Sequence, residues 1–247
     1  MTYDLIQRME NLGSPRIAVV GDLILDRYVW GFAERISQEA PVPLLRADHR
    51  EHRLGGAASV ATMLRALGAQ VRLIGGVGHD HEASLVRGML REHEIDDRWV
   101  VSLDDRPTTL KERYIGRAQD RHPQQMIRVD YETREPIPPM IEARLHAELP
   151  AALEWADVVL ASEALHVLFV RLRFPHVATK TVLFGQFLRD APLDEPLADQ
   201  IACVSSLDPD SAFDVDDPAG QDQVAYDQCA SKLWDMAQVF ATVVEES

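Results

Sequence analysis

The sequence has few of the residues that mark several classes of protein. Only two of its 247 residues are cysteines, Cys203 and Cys229, which is too few for a disulfide framework or a four-thiolate zinc site and favours a reducing compartment. No apolar run approaches the roughly 18 residues of a membrane-spanning helix, and the first ten residues lack the basic-then-apolar pattern of a signal peptide. We therefore expect a cytoplasmic protein with no membrane partner.

Basic residues are also scarce. The chain has 25 of them against 40 acidic residues, a net charge of −15, which argues against nucleic acid or an anionic membrane as a partner and favours small molecules. Most of the imbalance lies in residues 151–247, which contain 17 acidic and 5 basic groups. The remaining composition, 46% apolar and 26% charged, is that of a globular protein with either one large α/β domain or two smaller units.

The first 155 residues alternate between strand and helix patterns. Arg16–Asp22 is a short apolar run ending in Gly-Asp, as in a buried parallel strand whose carboxyl end opens onto a ligand crevice. Glycines precede a helical apolar ladder that ends at Gly68, and a second strand and a helix over His81–Glu92 follow. These patterns predict a doubly wound, mostly parallel α/β sheet.

Two further segments are polar and strand-like, and we expect them to project from the sheet. Residues 28–53 contain Pro41 and Pro43 and indicate a hairpin, and residues 107–130 indicate two strands joined by the polar stretch 118–122. Together they predict a β lid, and a helix over Ile141–Ala152 follows the lid.

Strand and helix patterns start again at Trp155. We predict a buried strand over Ala156–Ala161, a helix over Glu163–Phe174 and a strand over Thr179–Phe184. A long polar loop over residues 186–221 and a final helix over Val224–Val244 complete the predicted order.

Five motifs in the first part occur in a fixed order and spacing, and together they resemble the ribokinase-like (PfkB) sugar kinases. The similarity is strongest to the kinase domain of bacterial heptose-7-phosphate kinases. It implies phosphorylation of a sugar-phosphate hydroxyl with MgATP, and a homodimer formed through the lid. The motifs are Gly21-Asp-Leu-Ile-Leu-Asp26-Arg-Tyr28, Arg35–Pro43, Gly55-Gly56-Ala-Ala-Ser59, Pro107-Thr-Thr-Leu-Lys111 and Arg128-Val-Asp130.

The resemblance gives each matched residue a role in binding substrate. The Asp26 carboxylate would accept hydrogen bonds from sugar hydroxyls, Gly55 and Gly56 would let the sugar lie against the main chain, and Lys111 would contact its phosphate. Ser59 stands where the family usually has Asn, which weakens the expected contacts to sugar. The alternatives are a turn or cap role for Asp26, simple turn glycines, and a solvated charge at Lys111.

The family's general base lies in a Gly-Ala-Gly-Asp motif of its C-terminal half, and this motif is absent from the sequence. Gly76-Val-Gly78-His-Asp-His81 cannot replace it as a phosphate loop, since it lacks the third glycine and the Lys-Ser/Thr pair. We therefore expect the nucleotide-binding half to be missing and phosphoryl transfer to fail.

From Trp155 onward the chain resembles the C-terminal half of a low-molecular-weight protein tyrosine phosphatase. The resemblance rests mainly on Asp214-Val-Asp-Asp217-Pro218 and Tyr226-Asp-Gln-Cys229, and it would make Asp217 the general acid. Neither cysteine begins the family's Cys-x5-Arg nucleophile loop, because Pro209 and Asp235 stand at the arginine positions. The alternative for Asp217 is an ordinary turn residue before proline.

No metal site is expected. His79 and His81 alternate without a third ligand nearby in sequence, and the acidic loop over residues 190–222 lacks the calcium-loop pattern. The most economical explanation of the whole sequence is a hybrid of a sugar-binding part, residues 1–154, and a phosphatase-like part, residues 155–247. A deletion between neighbouring genes or a misassembled reading frame would explain the sequence equally well. Three functions stay open: a sugar-phosphate kinase, a non-catalytic sugar-binding protein and a phosphatase.

Overall fold

A computed structural model gives the fold. It describes residues 14–104, 106–118, 122–133, 135, 138–161, 163–192, 195 and 197–214. The chain divides into two compact units, which are described separately. One consists of residues 19–67 and 71–149, and the other of residues 1–18, 68–70 and 150–247. Asp217, Cys229 and the helix predicted over Val224–Val244 lie outside the described residues.

The elements of the first part follow the order predicted from the sequence. Within the described residues the strands are β1 (Arg16–Val20), β2 (Leu23–Ile36), β3 (Pro43–Gly56), β4 (Gln70–Val77), β5 (Val100–Ser102), β6 (Thr109–Arg117) and β7 (Gln124–Tyr131). The helices are α1 (Ala57–Ala66), α2 (His81–Glu92) and α3 (Pro139–Trp155), with a 3-10 turn at Asp97–Trp99. Helix α2 has the predicted bounds, and Gly68 follows α1 with a φ of 91°, as expected for a residue that ends a helix.

Strands β1 to β7 form two sheets, which lie mostly in the larger unit. Strands β1, β4 and β5 form a sheet in the order β1-β4-β5, in which β4 and β5 are parallel. The lid is a four-stranded sheet in the order β3-β2-β6-β7, where β2 and β6 are parallel and the outer pairs are antiparallel. The strands predicted within residues 28–53 and 107–130 thus belong to one four-stranded sheet, in which β2 and β3 each extend to 14 residues. The fully buried apolar side chains of this unit include Leu23, Leu25, Leu73, Ile74, Val86 and Leu90.

The second unit contains the last elements described. These are β8 (Val159–Ala161), α4 (Ala164–Arg173), a 3-10 segment at Pro175–Lys180, β9 (Thr181–Leu183), α5 (Phe184–Asp190), α6 (Leu197–Ser205) and a 3-10 turn at Ser211–Phe213. Strands β8 and β9 are parallel and form a sheet of their own. One apolar cluster joins β8, α4 and β9, and a second contains Val182, Phe187, Ala191, Ile201 and Val204. No helix in the described ranges combines the length and apolar character needed to cross a membrane.

Two predictions for this part were wrong in detail. Strands β8 and β9 are three residues each, half the predicted lengths. Strand β9 is short because it lies between the 3-10 segment that starts at Pro175 and the helix that begins at Phe184. The predicted long loop after residue 186 instead contains most of α5 and all of α6. These short helices pack Phe187, Ile201 and Val204 against Val182 of β9, so their stability depends on contacts between elements.

Candidate functional site

The lid sheet presents Asp26 and Lys111 side by side. Asp26 on β2 pairs with Lys111 on β6 and with Arg53 on β3, and Lys111 pairs in turn with Asp130 on β7. Directly paired residues point to the same side of a sheet, so these four side chains share one surface, which we call the Asp26 face. Two of the residues predicted to bind substrate are therefore neighbours.

Asp26 is held by a group that the sequence analysis missed. Nη1 of Arg113 donates a hydrogen bond of 2.5 Å to Oδ1 of Asp26, and the side chains are 19% and 18% exposed. The guanidinium groups of Arg113 and Arg53 also lie over the ring of Tyr28, 5.3 and 4.9 Å from its centroid. Arg113 follows Lys111 by two residues, so strand alternation was the signal that could have found it.

Gly55 provides the space in which the Asp26 carboxylate lies. A Cβ added at Gly55 would stand 2.6 Å from Oδ2 of Asp26, so only glycine leaves room for the carboxylate here. Gly56 has a φ of 57°, and a Cβ there would meet the Asp22 carbonyl oxygen, which accepts a hydrogen bond from the Ala57 amide. Both glycines thus shape the backbone at the end of β3.

Ser59 and Lys111 differ in how they are fixed. Ser59 lies half-buried in the first turn of α1, and its carbonyl oxygen accepts a hydrogen bond from Thr62. The Lys111 ammonium group has no hydrogen bond or ion pair with any residue that the structure describes. Arg113 is paired with Asp26 on the same face, so Lys111 is the cation there that an anionic ligand could contact without displacing a partner.

A cavity of about 560 Å³ lies inside the larger unit, and Asp26, Gly55, Gly56, Ser59 and Lys111 are not among the residues that line it. Its floor is formed where β1 and β4 end, by Gly21, Asp22, Gly75 and Gly76. Thr109, two residues before Lys111, also lines it, together with Arg106, Glu142, His146 and apolar side chains. The crevice expected at the carboxyl end of Arg16–Val20 is therefore present, which is where open α/β sheets bind ligands.

The turn between β4 and α2 does not fit a phosphate. The Asp80 carboxylate occupies the N-terminus of α2, where Oδ1 accepts a hydrogen bond from the Ala83 amide at 2.8 Å. The Gly78 amide donates instead to Oγ1 of Thr108 at 2.9 Å. A bound phosphate would have to compete with the Asp80 carboxylate, which already satisfies the helix terminus.

In the part of the chain that the structure describes, His79 and His81 do not belong to a group of side chains that could bind a metal ion. Nε2 of His79 lies 2.8 Å from Oδ1 of Asp104, and both side chains are more than half exposed. No group of three or more His, Cys, Asp or Glu side chains among the described residues could hold a metal ion. Cys203 is a free, exposed cysteine.

Comparison with known proteins finds similarity to carbohydrate kinases. Residues 14–124 match the pfkB family of carbohydrate kinases. D-beta-D-heptose 7-phosphate kinase of Bordetella bronchiseptica is 44% identical over 154 residues, which are 62% of this chain and 47% of that protein. The bifunctional protein HldE of Magnetococcus marinus is 36% identical over 169 residues, 64% of this chain and 34% of that one. The chain thus spans less than half the length of these curated relatives.

Solved structures show the same fold. A Clostridium perfringens protein described as a sugar kinase has a TM-score of 0.50 and 11% identity, covering 69% of this chain and 50% of its own. The structure of Sa239 has a TM-score of 0.50 and 13% identity, covering 90% and 70%. Over the aligned residues the chain therefore shares the α/β fold of the Clostridium perfringens structure. The phosphatase resemblance of residues 155–247 and the role of Asp217 stay predictions.

Proposed function

We propose that the lid and crevice bind a sugar phosphate, as the sugar-binding part of a pfkB-type carbohydrate kinase. The observation that carries the proposal is the seating of Asp26, whose carboxylate lies against Gly55 and is held by Arg113 beside Lys111. The name of the Bordetella relative points to a heptose 7-phosphate as the substrate class.

The chemistry of the Asp26 face suits such a ligand. An ionised carboxylate only accepts hydrogen bonds, so Asp26 can receive them from sugar hydroxyls at the lone pairs that Arg113 leaves available. The Lys111 ammonium would contact the phosphate as a point charge. A cavity of about 560 Å³ is within the range of small-molecule sites.

The glycines and Ser59 have supporting roles in this proposal. Gly55 and Gly56 keep the end of β3 free of side chains, so that Asp26 can lie over Gly55 and a sugar can approach the main chain. Ser59, at the start of α1, offers one hydroxyl to the sugar.

The residues described do not fit MgATP. Asp80 fills the N-terminus of α2, so the helix that follows β4 has no vacant terminus for a phosphate. The Gly-Ala-Gly-Asp motif is also absent from the sequence. We therefore propose sugar-phosphate binding without phosphoryl transfer by this chain, and we derive no catalytic step.

Calorimetry with heptose 7-phosphate, the unphosphorylated heptose and inorganic phosphate tests the proposal. We expect Lys111→Met to raise the Kd of the sugar phosphate by about tenfold and to leave that of heptose unchanged, because only the phosphate contact is lost. Asp26→Asn should weaken both sugars, since an amide replaces a carboxylate acceptor. Arg98→Met, which removes one positive charge from an exposed site, serves as the matched control.

Two results would overturn the proposal. One is a wild-type protein that binds neither sugar at millimolar concentration, and the other is a Lys111→Met variant that keeps its preference for the phosphorylated sugar. ADP release from MgATP and heptose 7-phosphate, measured against Asp26→Ala, tests the absence of transfer separately. Release above that control would restore the kinase function.

A further inference from the structure

The lid is tied at its base to the first turn of α2 by two separate contacts. Asp80 precedes α2 as its N-cap, and Glu82 lies in the first helical turn. Asp80 reaches Thr108, immediately before β6, whereas Glu82 reaches Arg27 on β2. Strands β2 and β6 are the two central strands of the lid, so the contacts act on the pair that carries Asp26 and Lys111.

The contact through Asp80 is a closed set of hydrogen bonds around the buried Thr108. Oδ2 of Asp80 accepts from the Thr108 amide at 2.7 Å, and Oδ1 accepts from the Thr108 hydroxyl at 2.7 Å. That hydroxyl oxygen accepts in turn from the Gly78 amide, and Thr108 is 2% exposed. Burial acts to raise the pKa of Asp80, but the hydrogen bonds from Thr108 and Ala83 outweigh it and lower the pKa, so the carboxylate stays ionised.

The contact through Glu82 lies on the opposite face of the lid from Asp26. Nη2 of Arg27 donates to Oε1 of Glu82 at 2.7 Å, and Nη1 lies 3.6 Å from Oε1 of Glu112, which is 8% exposed. Nε of Arg27 donates to Nε2 of His52 at 3.1 Å. Burial and the neighbouring Arg27 lower the pKa of His52, which keeps the ring neutral and able to accept this bond.

The residues held by α2 are direct neighbours of those that would contact substrate. Arg27 follows Asp26, and Thr108 lies three residues before Lys111. Side chains alternate along a strand, so the face held by α2 and the Asp26 face are the two sides of the same strands. A shift of β2 relative to β6 would therefore alter the spacing between Asp26 and Lys111.

We infer that Asp80 and Glu82 are positioning residues, which hold β6 through Thr108 and β2 through Arg27 and so fix the spacing of Asp26 and Lys111. The effect on ligand affinity rests on the proposed function. The anchoring of the strands themselves is independent of it and is measurable without ligand.

Hydrogen–deuterium exchange on the full chain, without ligand, tests the anchor. Asp80→Asn keeps an oxygen that can cap α2 but cannot accept both Thr108 bonds, and Thr108→Val keeps the shape without the hydroxyl. We expect each to raise exchange at the start of β6 by about tenfold while β4 and β9 keep wild-type rates. Glu82→Gln should raise the exchange rate in β2 instead. Thr108→Ser keeps the hydroxyl and should show the wild-type exchange pattern. Asp96→Asn, which alters an N-cap elsewhere, is the control.

Wild-type exchange in β6 for both Asp80→Asn and Thr108→Val would overturn the inference. Faster exchange in every strand would also overturn it, because that result shows a general loss of stability rather than a local anchor. Calorimetry of the same variants with heptose 7-phosphate should show a Kd raised by about tenfold. If the wild-type protein does not bind the sugar, the proposed function fails while the exchange data still decide the anchor.

Discussion

The Asp157 carboxylate accepts three hydrogen bonds from Arg16, a residue 141 positions earlier in the chain. The main-chain amide of Arg16 donates at 2.8 Å, and its Nε and Nη2 donate at 3.0 and 2.5 Å. The Asp157 amide donates back to the Arg16 carbonyl oxygen at 2.9 Å. These bonds join the start of β1 to the turn before β8 within the smaller unit.

This pair predicts a loss of stability in acid. The side-chain hydrogen bond from Arg16 lowers the pKa of Asp157 in the folded state despite partial burial. A lowered folded-state pKa contributes stability above the unfolded pKa, and that stability is lost as the pH falls through the folded-state value. Asp157→Asn should lower the Tm modestly at pH 7, because the pair is nearly half exposed, and the difference from wild type should vanish in acid.

Thermal unfolding between pH 7 and pH 2 measures this effect. Glu92→Gln, which removes one exposed carboxylate at the end of α2, controls for the change in net charge. A difference in Tm that is constant over the whole pH range would contradict the prediction.

Gly55→Ala should disturb the Asp26 carboxylate directly. The new Cβ would lie 2.6 Å from Oδ2, so Asp26 must move, with an expected cost of about 1–3 kcal/mol in unfolding free energy. We also expect weaker sugar-phosphate binding, measured by calorimetry. A methyl group added at Gly88 in α2 would have no atom within 4 Å, so Gly88→Ala should be neutral or stabilising by up to about 1 kcal/mol. Equal unfolding midpoints for the two variants would refute this.

Gly56→Ala should be destabilising for a different reason. Its backbone φ of 57° is unfavourable for an L residue, and the Cβ would collide with the carbonyl oxygen of Asp22. We expect a loss of roughly 1–3 kcal/mol in urea unfolding. Asp22→Ala keeps that carbonyl and so should not relieve the loss in the double variant. Recovery of stability there would point to a side-chain clash instead.

Leu183→Ala tests the core of the second unit. Leu183 is 1% exposed and packs with Ala161, Ala164 and Val167, so its truncation should leave a cavity and cost about 2–5 kcal/mol. Leu172 on α4 is 87% exposed, and Leu172→Ala should change the unfolding free energy by less than about 0.5 kcal/mol. Similar urea midpoints for both variants would show that β9 and α4 do not pack as described.

The sequence predicted those helices whose capping residue and apolar periodicity lie within the helix segment itself. Helix α2 could be placed to the residue because Asp80 provides an N-cap and the apolar residues follow a helical period. Helices α5 and α6 were missed because they have only 7 and 9 residues in an acidic segment, and they depend on Val182 for their packing. Such a contact is not visible in the periodicity of either helix.

In the candidate site, too, some features could be predicted from local motifs and others depend on strand pairing. The sequence placed Lys111 on the lid but began the lid at residue 28, whereas in the structure Asp26 lies on β2 as the direct neighbour of Lys111. Arg113 could have been found by counting two residues along β6, but its hydrogen bond to Asp26 depends on the parallel pairing of β2 and β6, strands separated by more than 70 residues. The closeness of Gly55 to Asp26 also depends on strand register, which sequence patterns alone leave undetermined.

Because Gly55 has no side chain, the residue at position 55 and the residue at position 26 should depend on each other in evolution. While Asp26 keeps its carboxylate over residue 55, a side chain at 55 would collide with that carboxylate, whereas a smaller residue at 26 would remove the collision. Related sequences should therefore show epistasis between these sites, with alanine or serine at 55 occurring only where 26 is no longer acidic. Glycine would then be lost from position 55 only after Asp26 had been replaced.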